Sequence, residues 1–340
     1  MTFTQKKCII KEKAFRKSPI ALLFVRGGTG AYSTAHKKQH YERFSFRLIK
    51  TKGMVITMNK FSIGAIVESF CLDTKDAIKK AAALGVDGLQ MYCTKGENAP
   101  ENMTDEKASE LLKFVRDNGL IFSAICGDMG MGFGNKEKNP ELIEKSKRIM
   151  DLAKKLDCNI VTTHIGVVPA DKNHERYKIM QEACFELSRY ADSIGSKFAI
   201  ETGPEKSEVL KGFLDSLGSK GVSVNLDPAN LVMVAGDDPV NAVHNLKDYI
   251  VHTHAKDGIM LQKGNPEYIY GVVHPVPAEF SGIKYFEEVP LGTGGVNFPK
   301  YLEALSEIGY NGFLTIEREC GDTPEKDIET AVSFLRRIIG

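Results

Sequence analysis

The stretch GSKFAIETGPEKSEVLKGFLDSLGSKGVSVNLDPAN, residues 195–230, carries one complete repeat of the fold. Lys197–Glu201 is a short apolar run ending in a carboxylate, and Val222–Asp227 is a second. Between them, Ser207–Leu217 places Val209, Leu210, Phe213, Leu214 and Leu217 at helical spacing. Gly195 and Gly221 stand just before the two strands, where a left-handed residue ends a helix. Strand, helix and strand in so few residues make a parallel crossover unit.

The same unit recurs through the rest of the chain. Further strands are expected at Phe61–Ile66, Val86–Tyr92, Leu120–Cys126, Asn159–His164, Ile250–Ala255 and Gly312–Glu317. Helices are expected at Thr74–Leu84, Asp105–Asn118, Pro140–Leu156, Asn173–Ile194, Pro239–Leu246, Phe298–Ile308 and Pro324–Ile339, with Gly85, Gly119 and Gly309 as further stops. Strand then helix, eight times, is the pattern of an α/β fold of the (β/α)8 TIM barrel type, a single domain over residues 59–340. A doubly wound open sheet is the alternative, and it requires a glycine-rich first turn. Arg26-Gly-Gly-Thr-Gly neither follows a strand pattern nor opens a helix, so it does not supply one.

Composition narrows the class. Of 340 residues, 42% are hydrophobic and 26% charged, as in a soluble globular chain. No apolar run approaches the roughly 18 residues that span a bilayer. The seven cysteines are scattered with no C-x-x-C pair, which argues against a disulfide framework or thiolate zinc site and suggests a reducing, cytoplasmic setting. Residues 1–58 hold 13 Lys and Arg against Glu12 and Glu42, a net of +11. The rest of the chain holds 32 basic and 42 acidic residues, a net of −10. The basic leader reads as a disordered extension, or as sequence upstream of a start at Met54 or Met58. A transit peptide and a nucleic-acid arm are the alternatives.

One connection breaks the rhythm. Residues 257–290 show no helical period, only prolines (266, 275, 277, 290) and aromatics (Tyr268, Tyr270, Phe280, Tyr285, Phe286). A loop of that length within a compact domain reads as a lid. Leu291-Gly-Thr-Gly-Gly, just after it, has backbone N–H groups that could cradle phosphate, but a tight turn returning the lid to the barrel is the simpler reading.

The strand ends carry the chemistry. In a barrel, the carboxyl ends of the strands converge on one face. Those ends hold His164, Glu201, Asp227, His254 (in VHTHAKDG) and Glu317. Three carboxylates aimed at one volume repel unless a cation lies between them, and a divalent metal is the economical answer. Three oxygens and one nitrogen favour Mn2+, with Mg2+, Co2+ or Zn2+ as alternatives.

The segments NLDPANL, VHTHAKDG, VPLGTGGVNF and GFLTIERE resemble those of the xylose isomerase-like TIM barrels, the sugar phosphate isomerase/epimerase family, and the resemblance runs over 59–340. It implies one divalent metal held by Glu201, Asp227, His254 and Glu317, with His252 one layer deeper as a packed, hydrogen-bonded neighbour. His164, Asn230 and Lys256 become expected substrate contacts, Lys256 at the rim. Two departures stand out. Ketose 3-epimerases of this superfamily carry His where Asn230 stands, and an Arg expected after the strand-seven His is replaced by the Met260-Leu261 region.

The expected chemistry is isomerisation or epimerisation of a ketose, sugar phosphate or related hydroxycarbonyl compound through a cis-enediolate, with Glu201 and Glu317 as the catalytic carboxylates. Return of the proton from the opposite face gives epimerisation, and return to the adjacent carbon gives isomerisation. Alternatives are a dehydratase or lyase acting on a keto-inositol or oxidised sugar, and a non-catalytic sugar-binding subunit. The fold's abasic-site nucleases need more metal-binding histidines, and an acidic body repels a phosphate backbone, so no nucleic-acid partner is expected. No membrane partner is expected either. The long helix Asn173–Ile194 leaves room for a homo-oligomer contact, although packing on the barrel explains it equally well.

Overall fold

The eight expected strands form and close on themselves. The structure is a computed structural model that describes residues 49–51, 54–56 and 61–340. The chain divides at Met58, and the barrel lies within residues 59–340. In the leader, Ile49–Thr51 and Met54–Ile56 pair antiparallel. Otherwise, the expectation of a disordered extension concerns residues outside those described.

The barrel strands are β1 (Ser62–Ile66), β2 (Gly88–Tyr92), β3 (Ile121–Cys126), β4 (Ile160–Thr163), β5 (Lys197–Glu201), β6 (Val222–Leu226), β7 (Ile250–Ala255) and β8 (Phe313–Ile316). All neighbours are parallel, and β8 closes on β1 with Phe313 opposite Ser62. Eight main helices alternate with them: α1 (Thr74–Leu84), α2 (Asp105–Asp117), α3 (Asn139–Lys155), α4 (Glu175–Ser193), α5 (Ser207–Leu217), α6 (Pro239–Asn245), α7 (Phe298–Glu307) and α8 (Pro324–Ile339). Each lays an apolar stripe on the barrel, such as Leu210, Phe213, Leu214 and Leu217 of α5, all buried. Burying side chains of that size contributes about 1.5–3 kcal/mol each against exposure.

Pairing slips by one residue at two places. One lies between Leu89 and Gln90 against β3, the other between Val224 and Asn225 against β7. Such irregularities re-aim the side chains that follow. Gln90 and Asn225 both point at the functional centre described below.

Two local expectations need correction. Gly221 does not stop α5; Gly218 does, at φ 55°. Gly221 is required for another reason, because a Cβ there would lie 2.0 Å from the Ser188 carbonyl oxygen of α4. Residues 257–290 are not structureless: Asp257–Met260 and Phe286–Val289 pair antiparallel as an arm, which carries a short helix at Pro266–Ile269. Asp and Gly at the first two arm positions are poor strand formers, which hid the pattern.

The arm is tied down at its base. Asp257 accepts four backbone N–H groups, from Gly258 (2.9 Å), Gly292 (3.0 Å), Gly294 (2.8 Å) and Val296 (3.1 Å). The glycine-rich loop therefore already holds an internal carboxylate, and it acts as the returning turn rather than a phosphate cradle. Higher on the arm, Arg176 of α4 pairs with Glu267.

Candidate metal centre

Glu201 closes β5, Asp227 follows β6, His254 lies in β7 and Glu317 follows β8. Flanking residues Ile200, Leu226, Ala255 and Ile316 are buried and lock each strand end. One ligand atom from each of the four side chains lies within 4.8 Å of the others. His254 Nδ1 is 3.0 Å from Glu317 Oε2, 3.4 Å from Glu201 Oε1 and 3.5 Å from Asp227 Oδ2. Bonds of about 2.0–2.2 Å to one ion put adjacent ligands about 3–3.5 Å apart, so the spacing suits a single cation.

Hydrogen bonding supports the same reading. Asp227 Oδ1 caps the turn Pro228–Asn230, accepting the N–H groups of Ala229 (2.7 Å) and Asn230 (3.0 Å). Its Oδ2 is buried with no hydrogen-bond partner, and so is His254 Nδ1. Buried polar atoms are rarely left unpaired, and two of them facing each other mark a place for an ion. The other ring nitrogen, Nε2, lies 3.1 Å from Gln90 Oε1. In the tautomer that leaves Nδ1 a free lone pair, Nε2–H donates to that oxygen, the usual support for a metal-binding imidazole.

The electrostatics are those of a site built for positive charge. Burial opposes protonation of His254, but Glu201 and Glu317 outweigh it and hold its pKa well above the ordinary value. Burial would raise the Glu317 carboxyl, yet Lys256 and His254 bring it down. Lys256 Nζ lies 3.1 Å from Glu317 Oε2 and 2.9 Å from Glu319 Oε2. Burial disfavours its charge, while those carboxylates keep it an ammonium well above its usual range.

The expected substrate contacts lie around this cluster. His164 Nε2 is 3.5 Å from Glu201 Oε1, and its side chain is 27% exposed. Burial would depress its pKa, but Glu201, Asp128 and Glu317 raise it overall. Asn230 Nδ2 donates to Glu201 Oε1 at 3.2 Å and so braces that carboxylate. Lys256 departs from its expected place at the rim: it is 4% exposed, and its ammonium is committed to carboxylates. His252 lies one layer down, with Nδ1 2.9 Å from Asn225 Oδ1 and Nε2 2.9 Å from Thr315 Oγ1. Burial and the neighbouring His254 push its pKa well below the ordinary value, so it stays neutral.

Several participants were not singled out from the sequence. Gln90 supports His254, and Asn225 Nδ2 reaches Glu201 Oε2 at 3.3 Å. Asn225 shares the strand face of Asp227 by period two, a signal that was available. Tyr270, on the arm, packs edge-to-face on His164 with ring centroids 5.8 Å apart. Asp128 and Glu205, both buried, add carboxylates near His164, which feels or exerts their charge.

A closed parallel β/α barrel with a buried Glu-Asp-His-Glu cluster at its strand ends, suited to a divalent cation, is the class that fold and site define. The chain belongs to the xylose isomerase-like TIM barrel family, whose sequence profile matches residues 78–338. A solved structure of a xylose isomerase domain protein from Planctomyces limnophilus superposes with a TM-score of 0.66 at 25% identity, covering 82% of this chain and 97% of that one. D-psicose 3-epimerase from Clostridium cellulolyticum H10, solved with D-tagatose, superposes at 0.61 with 16% identity, covering 82% and 99%, a likeness of fold. An inosose dehydratase of Lacticaseibacillus casei is 28% identical over 119 residues, 35% of this chain and 37% of that protein. Among the described residues, no helix is long and apolar enough to cross a membrane.

Proposed function

We propose that the protein is a divalent-metal-dependent isomerase or epimerase of a ketose or related hydroxycarbonyl compound. The observation that carries this reading is the pair of orphaned buried atoms, Asp227 Oδ2 and His254 Nδ1, inside a four-ligand cluster. Glu201, Asp227, His254 and Glu317 would hold the ion, with Mn2+ as the favoured choice for three carboxylates and an imidazole. Bound there, a divalent cation supplies Lewis-acid stabilisation of negative charge developing on substrate oxygens.

The chain's own residues do the proton work. Glu201 and Glu317 come from strands separated by β6 and β7, so they reach the substrate carbon from different sides. One carboxylate takes the proton next to the carbonyl, leaving an enediolate. The other delivers a proton taken from solvent to the opposite face of the same carbon and inverts it. Alternatively, the first returns its proton to the adjacent carbon while the hydroxyl proton passes to the former carbonyl oxygen, which moves the carbonyl. Asn230 and Asn225 hold Glu201, and Lys256 holds Glu317. His164, its pKa raised, is placed to donate to a substrate oxygen beside Glu201.

The likeness to an inosose dehydratase of Lacticaseibacillus casei favours a second reading. The same enediolate can expel a β-hydroxyl instead of taking back a proton, which makes a dehydratase of a keto-inositol. NMR in deuterated water with Mn2+, over D-fructose, D-tagatose and 2-keto-myo-inositol, separates the cases. Epimerisation or isomerisation places deuterium on carbon in a rearranged sugar, and dehydration gives an unsaturated product. Glu201→Gln and Glu317→Gln should each abolish turnover, and retained activity in both would sink the assignment. A non-catalytic sugar-binding subunit would leave every probe unexchanged.

A further inference from the structure

We infer that Tyr270 is a substrate-contacting residue, its phenol donating a hydrogen bond to a substrate oxygen beside His164, so that the arm forms one wall of the specificity site. This rests on the proposed ketone-processing reading and says which side chain outside the strand ends touches the substrate.

Placement is the first argument. Tyr270 directly follows the short arm helix, and its N–H donates to Pro266 O at 2.9 Å. That helix is capped by Asn265, whose side chain accepts the Glu267 N–H at 2.9 Å, and Glu267 is paired with Arg176 of the barrel. The Tyr270 ring is thereby set edge-on to His164 at 65°. Its hydroxyl rests over Gly203, two residues past Glu201: a Cβ on Gly203 would lie 2.4 Å from Oη, and the Asn230 Cβ would be 3.5 Å from that same point. The hydroxyl and Asn230, which itself bonds Glu201, thus both border the same point above Gly203.

Chemistry is the second argument. None of the hydrogen bonds among the described residues uses the Tyr270 hydroxyl. Burial, and after it Glu201, hold the phenol protonated well above its ordinary range, against the opposing charge of Lys256. A neutral phenol is a donor as well as an acceptor. Lys256, by contrast, spends its hydrogens on Glu317 and Glu319. Tyr270 is therefore a free donor facing the ligand cluster, and a polyhydroxy ketone is rich in acceptors.

The test compares wild type with Tyr270→Phe, which keeps the ring against His164 and removes only the oxygen. Calorimetry gives the Mn2+ affinity of each protein. Water-proton relaxation of the Mn2+-loaded proteins then gives the affinity for D-fructose, D-tagatose and 2-keto-myo-inositol. The expected result is unchanged Mn2+ affinity and melting temperature, with about tenfold weaker binding of the ketone that wild type prefers, the size of one hydrogen bond. Equal ketone binding by both proteins overturns the role of Tyr270 and leaves the proposed function standing. Failure of Mn2+-loaded wild type to bind any of the three overturns the proposed function, and this inference with it.

Discussion

Asp227 Oδ2 lies 3.5 Å from His254 Nδ1, and neither atom has a hydrogen-bond partner among the described residues. Asp227 has divided its carboxylate, giving one oxygen to the backbone of the next turn and keeping the other for the centre. An asparagine can still offer a carbonyl oxygen to the turn, but it removes one negative charge from the ligand set. Asp227→Asn should therefore fold, with Mn2+ affinity lower by more than about a hundredfold, beyond the loss typical of an outer partner. In wild type, Mn2+ at a hundred times its Kd should add about 2.7 kcal/mol of stability, on the order of 5–10 °C in Tm. Calorimetric titration and thermal melts with and without EDTA check both. A wild-type Tm indifferent to Mn2+ would remove the metal from the account.

Gln90 reaches the same histidine from across the barrel, 164 residues away in sequence. It is 1% exposed, and an apolar replacement leaves His254 Nε2 without its acceptor. Gln90→Leu should weaken Mn2+ binding by about 10–100-fold while the circular dichroism spectrum stays that of wild type. Unchanged affinity would show that the tautomer of His254 is set by another group.

Glu205 makes stability depend on pH in a definite direction. Burial lifts its pKa to about 8, against the Val168 N–H that it accepts and the charge of His164. In the unfolded chain it titrates as an ordinary carboxyl, so between about pH 5 and 8 the folded protein holds a proton that the unfolded chain has released. This contribution to stability therefore falls as pH rises through that window, by an amount on the order of a few kcal/mol in total. Glu205→Gln, neutral at every pH and able to accept from Val168, should flatten the decline. Urea unfolding at pH 5.5, 7 and 8.5 measures it, and parallel pH profiles for the two proteins would count against the assignment.

The repeat was legible because strand and helix periods alternate without conflict, and the carboxylates of the cluster were legible because each ends an apolar run. Glu201, Asp227 and Glu317 needed only that rule. The support of His254 was less accessible, since Gln90 sits where the strand pairing slips. Such slips depend on the neighbouring strand, which local sequence does not specify. Tyr270 lies on an arm whose course is set by the Asp257 clamp and the Arg176–Glu267 pair, contacts that no periodicity encodes. Lys256 has the correct face by period two, but its depth follows from Glu317 and Glu319 gathering around it.

The charge around the centre bears on which hydroxycarbonyl compounds fit. The three carboxylates of the cluster outnumber the two charges of a divalent ion, and Asp128 and Glu319 lie nearby. Two cations on this side of the barrel are already engaged: Lys256 with Glu317 and Glu319, and Arg318 with Glu288 and Asp327. The glycine-rich loop, which would otherwise offer amides to a phosphate, is filled by Asp257. A phosphate ester would bring about two further negative charges with no unpaired cation among these groups to meet them. Mn2+-loaded protein should therefore bind D-fructose at least about tenfold more tightly than D-fructose 6-phosphate, and the gap should narrow as salt screens the repulsion. Competition titrations at low and high ionic strength give both numbers. Preference for the phosphate at low salt would show that a cation outside this set turns toward the site, and the neutral-substrate reading would fall.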